Sequence, residues 1–544
     1  MSAWQRVQYY ALSFLVAVCA VFYLTWWFNP ARLNANHPLF MSIPLFVALT
    51  FVTMHRPFIE TYGWVVLRKV QPITDPPPPQ LGLRAALITT YVPKNESFAM
   101  VKRTLRAMLA ADYIHDTWLL DEGASAAART WCEKHGVLYF TRCDVAKWNT
   151  DGSTFAKKTK GGNHNAWYDF VGHTYQFVAQ FDSDFLVRRD VLTGTLGYFR
   201  NPRVGWVGTP QIYGNMESWV ARGAAMQTFA FYGIVMRGLG DRKQGLMIGA
   251  NHIVRVQALE ESGWYDPHLV EDLATGLKLG AKWLGVYVPR VFAVGEGPTS
   301  WSAYFNQQYR WAFGGLEILF GRSFRILRTL PLRQALRYVW MLTFYLNGLA
   351  MAVGVTLLML YYITGISAAS MPLGSLIVHY APLLFVRQLL LLWSQRFNVR
   401  PEEESGMLWE GRFITMAALP IYMMALFGVL RRKRMVFEVT NKGDDWQVDK
   451  NAKPEGLQVF KPHAAIAAIL LGGILLSGQL HHDSVVFFLW GAATTVLMIA
   501  FSMVPSWVYN IRWAARIGWR LFISRWSTPK EITTNNPVQE VIEG

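Results

Sequence analysis

Two aspartates separated by a single residue are the most chemically informative feature of the sequence. Asp182 and Asp184 follow residues 175–181, an apolar run that predicts a buried strand, so both carboxylates fall at its C-terminal end. Ligands of open α/β sheets bind at that end. Carboxylate oxygens suit Mg²⁺ or Mn²⁺, which commonly share their coordination with substrate phosphates. The pair therefore predicts a metal–diphosphate site, although a lone pair of this kind is more often a strand-end turn with solvated carboxylates.

A second acidic pair, Glu271 and Asp272, precedes residues 274–279, whose pattern predicts a helix. Adjacent acids at such a position can cap the helix. They can equally supply a general base, because a like-charged neighbour and partial burial raise the pKa of a carboxyl group. The sequence alone leaves both interpretations open.

Gln307, Arg310 and Trp311 form a third candidate group. Gln307 and Arg310 lie three residues apart, on one face of the helix expected there, with Trp311 adjacent. An arginine can clamp a diphosphate, and a tryptophan ring offers a flat surface on which a sugar can stack. The same residues are also typical of an aromatic belt at a membrane interface.

Residues 160–165, KGGNHN, combine a cation with a flexible backbone and amides. Such a segment, with Lys160 and Asn163, can approach a diphosphate closely, and an ordinary glycine loop is the equal alternative. His164, like His252 further on, is more typical of a satisfied hydrogen-bonding side chain than of a metal ligand.

Polar residues at the ends of two earlier strands are weaker candidates for substrate binding. Thr90 and Tyr91 end the first predicted strand, and Glu96 lies just beyond it. Asp121 ends the second strand, where a carboxylate could bind a nucleobase or a ribose. Each of these residues is as readily explained by an ordinary turn.

Alternating strand and helix patterns must position these residues. Residues 85–90 predict a strand, residues 98–111 a helix and residues 117–120 a second strand, and the alternation continues to about residue 294. This βαβ rhythm predicts a mostly parallel sheet with helices on both faces. This part of the chain is therefore expected to be an α/β domain.

Much of the remaining chain is apolar enough to cross a membrane. Hydrophobic residues make up 52% of the 544 residues, and a helix spans a bilayer with about 20 apolar residues. Six runs predict membrane spans: residues 9–28, 38–54, 338–363, 373–393, 463–480 and 485–503. We interpret the first as an uncleaved anchor. The distribution of Lys and Arg predicts a multi-pass protein of the plasma (inner) membrane, with both termini and the α/β domain in the cytoplasm.

Three further segments are expected at the membrane surface. Residues 413–430 are apolar but have basic flanks on both sides, which favours an interfacial helix over a span. Residues 302–320 are aromatic and amphipathic, and the tail carries a basic amphipathic pattern around Arg512 and Arg516. Arg387, inside the fourth span, is predicted to extend to the cytoplasmic surface.

The overall charge narrows the classes of partner. The net charge of +16 fits cytoplasmic basic residues that face anionic lipid and an anionic substrate, rather than nucleic acid. Three cysteines, with no C-x-x-C pair, make a disulfide framework unlikely to be the organising feature.

In this order, the motifs resemble those of the family-2 glycosyltransferases. The resemblance is closest to the processive, membrane-embedded branch that includes cellulose, curdlan, chitin and hyaluronan synthases. D-x-D appears as Asp182 and Asp184, the acidic pair usually written T/E-D as residues 271–272, Q-x-x-R-W as residues 307–311 and K-A-G-N-x-N as residues 160–165. The stretch FEVTNKG at 437–443 resembles the F-x-V-T-x-K gating loop of cellulose-synthase-like enzymes. Its functional positions are Phe437, Val439, Thr440 and Lys442.

The resemblance implies a fold and a set of residue roles. The fold is an α/β GT-A glycosyltransferase domain, with a mostly parallel sheet, embedded in an α-helical transmembrane domain of about six spans with amphipathic interface helices. Asp184, helped by Asp182, would hold Mg²⁺ or Mn²⁺. Asp272, beside Glu271, would be the general base, and Trp311 would bind the acceptor. Residues expected to bind the UDP-sugar are Thr90, Tyr91, Glu96, Asp121, Lys160, Asn163, Asp182, Gln307 and Arg310.

The implied activity is polymerisation of a UDP-sugar with inversion, most simply UDP-glucose into a β-glucan, with export of the polymer across the membrane. The alternatives are a synthase that uses UDP-GlcNAc or alternating UDP-sugars, and a single-transfer family-2 enzyme that glycosylates a lipid. The expected partners are the UDP-sugar, the growing polysaccharide and the lipid bilayer, with accessory export proteins as a further option. No nucleic acid is expected. The chain after Arg516 is too short for the cyclic-di-GMP-binding barrel of bacterial cellulose synthases.

These expectations divide the chain into consecutive segments. They are a transmembrane hairpin (1–55), a cytoplasmic linker (56–83), the GT-A domain (84–300), an interfacial helix with Q-x-x-R-W (301–330), a second hairpin (331–400), an interfacial helix with the gating loop (401–462), a third hairpin (463–505) and a cytoplasmic amphipathic tail (506–544).

Overall fold

The computed structural model describes residues 1–34, 36–70, 73–152, 154–240, 245–321, 323–433, 457–480 and 485–501. The strands are β1 Ala85–Tyr91, β2 Asp116–Asp121, β3 Leu138–Thr141, β4 Phe177–Phe181, β5 Leu186–Val187, β6 Val204–Gly208, β7 Ile212–Tyr213, β8 His252–Arg255, β9 Leu284–Tyr287 and β10 Ala293–Gly295. The helices up to the end of the α/β domain are α1 Ala3–Trp27, α2 Leu39–Leu67, α3 Phe98–Leu109, α4 Ala126–His135, α5 Lys160–Phe170, α6 Trp219–Ala230, α7 Met236–Gly240, α8 Val256–Glu261 and α9 Glu271–Gly280. Those that follow are α10 Trp301–Phe320, α11 Phe324–Leu327, α12 Leu332–Leu342, α13 Asn347–Thr364, α14 Leu373–Ser394, α15 Trp409–Ala417, α16 Leu419–Leu430, α17 Lys461–Leu480 and α18 Val485–Phe501.

The α/β domain is built on a seven-stranded sheet with the order β3-β2-β1-β4-β8-β6-β9. All neighbouring strands are parallel except β8, which runs antiparallel to both β4 and β6. The alternating side chains of β1 separate into two cores. Leu87 packs with α3 and α4 on one face, whereas Ile88 packs with α5 on the other. The mostly parallel sheet with helices on both faces is confirmed.

The strand ends that carry the candidate residues meet at one edge of this sheet. Tyr91, the last residue of β1, is in register with Asp121, the last residue of β2. On the other side of β1, Thr89 is in register with Phe181, the residue before Asp182. A second sheet has three short strands in the order β5-β10-β7. The residue that follows β10, Glu296, is hydrogen-bonded to Asp184 at the edge of the large sheet.

Within the part of the chain that the structure describes, six helical segments are long and apolar enough to cross a membrane. They are Ala3–Trp27, Leu39–Leu67, Leu332–Thr364, Leu373–Phe397, Trp409–Leu430 and Gln458–Ser477. The number agrees with the sequence prediction, but the membership differs, since Val485–Phe501 is shorter than these six and Trp409–Leu430 takes its place. The helix break at Ala418 divides that segment into α15 and α16. Its assignment to the interface rather than to a span stays a prediction.

The apolar helices and the α/β domain share one hydrophobic core. Buried members of this core include Phe229 of α6, Tyr304 of α10, Tyr361 of α13, Tyr422 of α16 and Leu470 of α17. Helix α10 therefore lies between the α/β domain and the apolar helices and touches both. This arrangement places residues 307–311 where the two parts of the protein meet.

One sequence prediction about the apolar region needs correction. Helix α2 was expected to end near residue 54 but continues to Leu67. Arg387 was expected to extend to the cytoplasmic surface; its guanidinium pairs with Glu60 of α2, and its depth in a membrane stays a prediction. The predicted gating loop (437–443) and tail (506–544) lie outside the described residues.

Candidate active site

The turn after β4 holds the two aspartates in place. Asp184 is buried, and its Oδ2 accepts a hydrogen bond of 3.2 Å from the backbone N–H of Glu296. Between the aspartates, the carbonyl of Ser183 accepts from Thr104 Oγ1 at 2.8 Å, and Ser183 Oγ donates to Glu96 Oε1 at 2.5 Å. The aspartates therefore belong to a fixed turn rather than to a solvated one.

Glu96 was predicted to contact the donor sugar nucleotide. In the structure, its second oxygen, Oε2, accepts from the backbone N–H of Val92 at 2.7 Å. The buried carboxylate therefore ties the loop after β1 to the turn that carries the aspartates. Glu96 shapes the site, and direct contact with substrate stays a prediction.

Lys160 joins the two acidic pairs. Its Nζ lies 2.5 Å from Asp182 Oδ1 and 3.6 Å from Glu271 Oε1, and 12% of its side chain is exposed. Burial alone would lower the pKa of Lys160, but the carboxylates of Asp182, Glu271 and Asp272 outweigh it and raise the pKa. The ammonium is therefore a fixed positive charge at the meeting point of the D-x-D turn and the second acidic pair.

An ordinary glycine loop was one of the two interpretations of residues 160–165, and the structure shows a helix there instead. Residues 160–165 form the first turns of α5, which Thr159 caps by accepting a hydrogen bond from Gly162. Asn163 is fully buried and donates to the carbonyl of Leu120 at 3.3 Å. Lys160 therefore projects from the rigid start of a helix, and the Asn163 side chain is directed into the domain, toward β2.

The second acidic pair occupies the first turn of α9. Asp272 Oδ1 accepts from Leu273 N at 2.7 Å, and Oδ2 accepts from the backbone N–H of Gly249. Gly249 has a φ of +77°, a conformation that glycine adopts without strain and that aims its N–H at the carboxylate. The helix prediction is confirmed, and the carboxylates are held by backbone donors.

The environment of this pair changes its acidity. Burial raises the pKa of Glu271 to about 7, with Lys160 opposing the rise and Asp272 adding to it. Burial likewise raises the pKa of Asp272, against the opposing effect of its backbone donors. Because the two groups interact, their protons belong to the pair rather than to either residue. A carboxylate pair that titrates near neutral pH has the acidity expected of a general base.

Helix α10 lies against the loop that precedes Glu271. A Cβ built on Gly314 would lie 2.8 Å from the side chain of Val270, so glycine is what allows the two backbones to approach. His268 Nε2 bonds Glu317 Oε2 at 2.9 Å, and the backbone N–H of Val270 donates to His268 Nδ1 at 3.2 Å. These contacts fix α10 relative to the acidic pair.

The side chains of the Q-x-x-R-W motif face different surroundings. Gln307, Arg310 and Trp311 are all partly buried. Gln307 Nε2 lies 3.4 Å from the hydroxyl of Tyr213 in β7. The neighbouring Gln308 is buried and accepts from Tyr422 of α16 at 2.6 Å. The helix thus offers one polar face to the α/β domain and is hydrogen-bonded to the apolar helices through Gln308.

Asp121 is satisfied by its own loop. Its Oδ1 accepts from Gly123 N at 2.7 Å, and its Oδ2 accepts from Ser125 N at 2.7 Å and from the hydroxyl of Tyr139 at 2.8 Å. The side chain is fully buried. These contacts are those of a structural turn, which was the alternative interpretation of Asp121. Thr90 and Tyr91 lie at the end of β1, and Tyr91 is buried.

The two histidines differ. His252 bonds the carbonyl of Gly249 and the hydroxyl of Tyr265, each at 2.8 Å, as expected. For His164 the expectation is wrong, because neither ring nitrogen has a hydrogen-bond partner among the described residues. Burial lowers the pKa of His164 well below its usual range and lowers that of His252 to about 4, so both rings are neutral.

Sequence reasoning missed Arg142. Its fully buried guanidinium pairs with Glu122 at 2.7 Å and donates to the carbonyls of Trp148, Ala156 and Thr159 at 3.1–3.2 Å. It therefore organises the loop that delivers Lys160. The acidic residue Glu122, next to a buried strand, could have suggested a basic partner inside the domain. The positions of the basic residues in the sequence do not show that this partner is Arg142.

The donor set limits what the site can hold. Across the described ranges, no group of three or more His, Cys, Asp or Glu side chains could hold a metal ion. Asp182 and Asp184 supply two carboxylates at a fixed turn. The ammonium of Lys160 is paired with one oxygen of Asp182. Two hard oxygen donors suit a magnesium-like ion whose remaining positions are taken by water and phosphate.

Comparisons with known proteins show which proteins the chain is similar to. A family model described as "Glycosyl transferase family group 2" matches residues 177–430. The "Cellulose synthase catalytic subunit [UDP-forming]" of Pseudomonas fluorescens is 26% identical over 447 residues, which cover 78% of this chain and 54% of the relative. The "Probable glucomannan 4-beta-mannosyltransferase 14" of Arabidopsis thaliana is 29% identical over 191 residues, which cover 32% of this chain and 35% of the relative. This chain thus spans about half the length of the first relative, or 54%.

Among solved structures, the mannosyltransferase PcManGT from Pyrobaculum calidifontis in complex with GDP-Man and Mn²⁺ superposes with a TM-score of 0.48 and 16% identity. The alignment covers 71% of this chain and 99% of that chain.

Proposed function

We propose that this chain, a cellulose synthase-like family-2 glycosyltransferase, polymerises a UDP-sugar with inversion and passes the product across the membrane. UDP-glucose is the proposed donor and a β-glucan the proposed product. The catalytic domain and both termini are proposed to lie in the cytoplasm, where the sugar nucleotide is available, and the membrane is proposed to be the plasma (inner) membrane.

The observation that carries the proposal is the position of Lys160. Its ammonium lies 2.5 Å from the D-x-D carboxylate of Asp182 and 3.6 Å from Glu271 of the acidic pair. A group-transfer site needs a place for a charged leaving group next to a base. Lys160 brings together the two motifs that would serve these purposes, although 89 residues of sequence separate Asp182 from Glu271.

The chain's own residues would carry the transfer as follows. Asp272, in its coupled pair with Glu271, takes the proton of the acceptor hydroxyl. The hydroxyl oxygen then attacks the anomeric carbon from the face opposite the nucleotide, which breaks the bond to the diphosphate and inverts the carbon. Lys160 and Arg310 stabilise the negative charge that develops on the leaving diphosphate.

Asp182 and Asp184 are the residues that would hold Mg²⁺ or Mn²⁺. When bound, the ion supplies charge neutralisation on the diphosphate oxygens. The pair fits such an ion because Asp184 is oriented by the backbone of Glu296 and Asp182 already interacts with a cation, Lys160. We propose no further protein ligand from the described residues.

Export is proposed from the position of α10. This helix carries Gln307, Arg310 and Trp311, contacts the loop before Glu271 and shares a core with α13 and α16. An acceptor sugar stacked on Trp311 would therefore lie beside both the base and the apolar helices. A single-transfer enzyme that glycosylates a lipid needs no such continuity, and that alternative is less well supported.

The donor is tested directly by incubating membranes that contain the full chain with one radiolabelled sugar nucleotide at a time. We expect incorporation from UDP-glucose into a product that a β-glucanase digests. Incorporation from UDP-GlcNAc, alone or alternating with a second sugar, would instead identify a chitin- or hyaluronan-like synthase. GDP-mannose is included because a relative is named as a glucomannan 4-beta-mannosyltransferase.

The gating proposal concerns residues 437–443, which lie outside the described residues. The double variant Thr440→Ala and Lys442→Ala is expected to lower polymer yield strongly, since both side chains are proposed to contact the diphosphate of the donor. Normal chain length and yield in a correctly inserted variant would contradict gating. The processive assignment would then depend on α10 alone.

A further inference from the structure

We propose that three arginines from α2, α14 and α15 form a site for the phosphate of an anionic phospholipid, on the side of the membrane that faces the α/β domain. The residues are Arg56, Arg387 and Arg412, arranged around Glu60 of α2. The proposal requires that the apolar helices lie in a bilayer and is independent of the donor sugar and of the polymer.

The arginines converge through a chain of contacts. Arg56 Nε lies 3.1 Å from Glu60 Oε1, and Arg387 pairs with the other oxygen of the same carboxylate. Arg412 Nη2 donates to Gln388 Oε1 at 2.8 Å, next to Arg387 in the sequence, and interacts electrostatically with both Arg56 and Glu60. Two guanidiniums, from α2 and α14, thus pair with a single carboxylate, and the guanidinium of α15 is bonded to the residue after Arg387.

The charges of this cluster do not balance. Among the described residues, three guanidiniums surround one carboxylate, which is an excess of two positive charges at the edge of an apolar helix bundle. The nearest acid in α15, Glu410, pairs with Arg222 at 3.3 Å and is directed to α6. Uncompensated charge is unfavourable beside hydrocarbon, so an anion from the surroundings is expected to complete the cluster.

The cluster is open to the outside, and its borders are apolar. About half of the Arg56 side chain is exposed, at 48%, whereas Arg387 stacks on Trp64 with 5.6 Å between its guanidinium carbon and the ring centre. The centre of the exposed ring of Trp409 lies 5.5 Å from the guanidinium carbon of Arg412, and Phe58 of α2 and Phe385 of α14 are also exposed. A charged group bordered by exposed apolar side chains suits a molecule with a phosphate head and hydrocarbon tails.

The height of the cluster also fits a lipid headgroup. Arg56 and Glu60 lie in the last part of α2, and further along the same helix Gly63 approaches Val235 and Val66 approaches Gly238. That end of α2 therefore contacts the α/β domain. Phosphates of the leaflet on this side lie at the same level, and each basic residue near such a leaflet contributes attraction of about 1 kcal/mol. A guanidinium binds phosphate oxygens through two parallel hydrogen bonds.

The test measures lipid binding by the full chain purified in a neutral detergent. Phosphatidylglycerol is titrated and binding is followed by thermal stability and by native mass spectrometry, with phosphatidylcholine and glycerol 3-phosphate as separate arms. We expect phosphatidylglycerol to raise the melting temperature and to remain bound in the spectrometer. Equal binding of phosphatidylcholine, or equal affinity for glycerol 3-phosphate alone, would overturn the proposal.

Variants locate the binding. The double variant Arg56→Gln and Arg412→Gln is expected to raise the half-saturating concentration of phosphatidylglycerol by roughly 30-fold, since two surface charges are lost. The control Arg68→Gln and Lys433→Gln removes two exposed basic residues that are not part of the cluster, so it should raise the half-saturating concentration by clearly less than the first double variant does. Equal affinity in the two double variants would overturn the site.

A variant that is expected to tighten lipid binding, rather than weaken it, distinguishes a lipid site from a cluster that only packs the helices. Glu60→Gln removes the single negative charge and should tighten phosphatidylglycerol binding by roughly 5-fold. If the cluster only packed the helices, Glu60→Gln would weaken or leave unchanged the lipid response. Arg412→Gln keeps both pairs to Glu60 and gives a second, milder variant, expected to weaken binding by roughly 5-fold.

Discussion

Removing the charge of Lys160 should move the pH dependence of the enzyme. Lys160 Nζ lies 3.6 Å from Glu271 Oε1 and opposes the rise in the pKa of Glu271 that burial causes. At an effective dielectric constant of about 20, two unit charges at such a distance interact by about 4–5 kcal/mol, which sets an upper limit of roughly 3 pKa units. In Lys160→Met the apparent pKa of the Glu271–Asp272 pair is therefore expected to rise by about 1–3 units.

The direction of the change in activity follows from the role of the base. A general base works when it is ionised, so kcat/KM of the native enzyme should increase with pH around the pKa of about 7 assigned to Glu271. Raising that pKa moves the midpoint of the rise to higher pH. At neutral pH the variant should then be slower by about 5-fold or more, with activity partly recovered at alkaline pH.

The assay measures incorporation of labelled sugar from the donor at a series of pH values, under conditions that report kcat/KM. Lys157→Met is the matched control, because Lys157 is an exposed lysine three residues earlier whose partner, at 3.6 Å, is the exposed Asp151. A lower activity with an unchanged midpoint in Lys160→Met would indicate lost donor binding alone. That result would refute the electrostatic coupling between Lys160 and the base.

Three further changes test other parts of the site. Asp184→Asn should abolish turnover and weaken metal-dependent nucleotide binding in calorimetry, because a neutral amide is a poorer ligand for a hard cation; unchanged turnover would contradict the metal assignment. Arg142→Met leaves a buried carboxylate without its partner and should destabilise the protein by about 3–5 kcal/mol, seen as a lower melting temperature; an unchanged melting temperature would count against its role in holding the loop before Lys160. Gly314→Val should clash with Val270 and lower kcat by about 10-fold or more while the protein stays folded. Gly472→Val in α17, where a Cβ meets no atom within 4 Å, is its control, and similar kinetics of the two variants would show that the contact with Val270 is unimportant.

The elements that the sequence predicted best are short apolar strands that end at a polar residue. The apolar run before Asp182 forms β4, and β1 and β2 lie within one or two residues of their predicted bounds. The position of their acidic residues could be predicted because a residue directly after a buried strand must lie at the sheet's edge. The convergence of Asp182 with Glu271 could not be predicted from spacing, since it depends on where α5 directs Lys160.

The errors arose where packing overrides local preference. Two glycines favoured a loop over residues 160–165, yet the cap from Thr159 and nearly complete burial stabilise a helix. The apolar run 38–54 ends near Met54, but helix α2 continues to Leu67, where Glu60 has partners on α14 and within its own helix. Contacts between residues far apart in the chain decide both cases.

The position of α10 has a consequence for engineering. The helix is fastened to the α/β domain at Val270 and His268, and to α16 through Gln308 and Tyr422. A chimera that exchanges only residues 84–300 would leave this helix with a foreign partner on one side. A transplanted unit should therefore include α10 and α16 together with the α/β domain, and its fit to α2 and α17 of the recipient has to be kept as well, because these helices contact the same core.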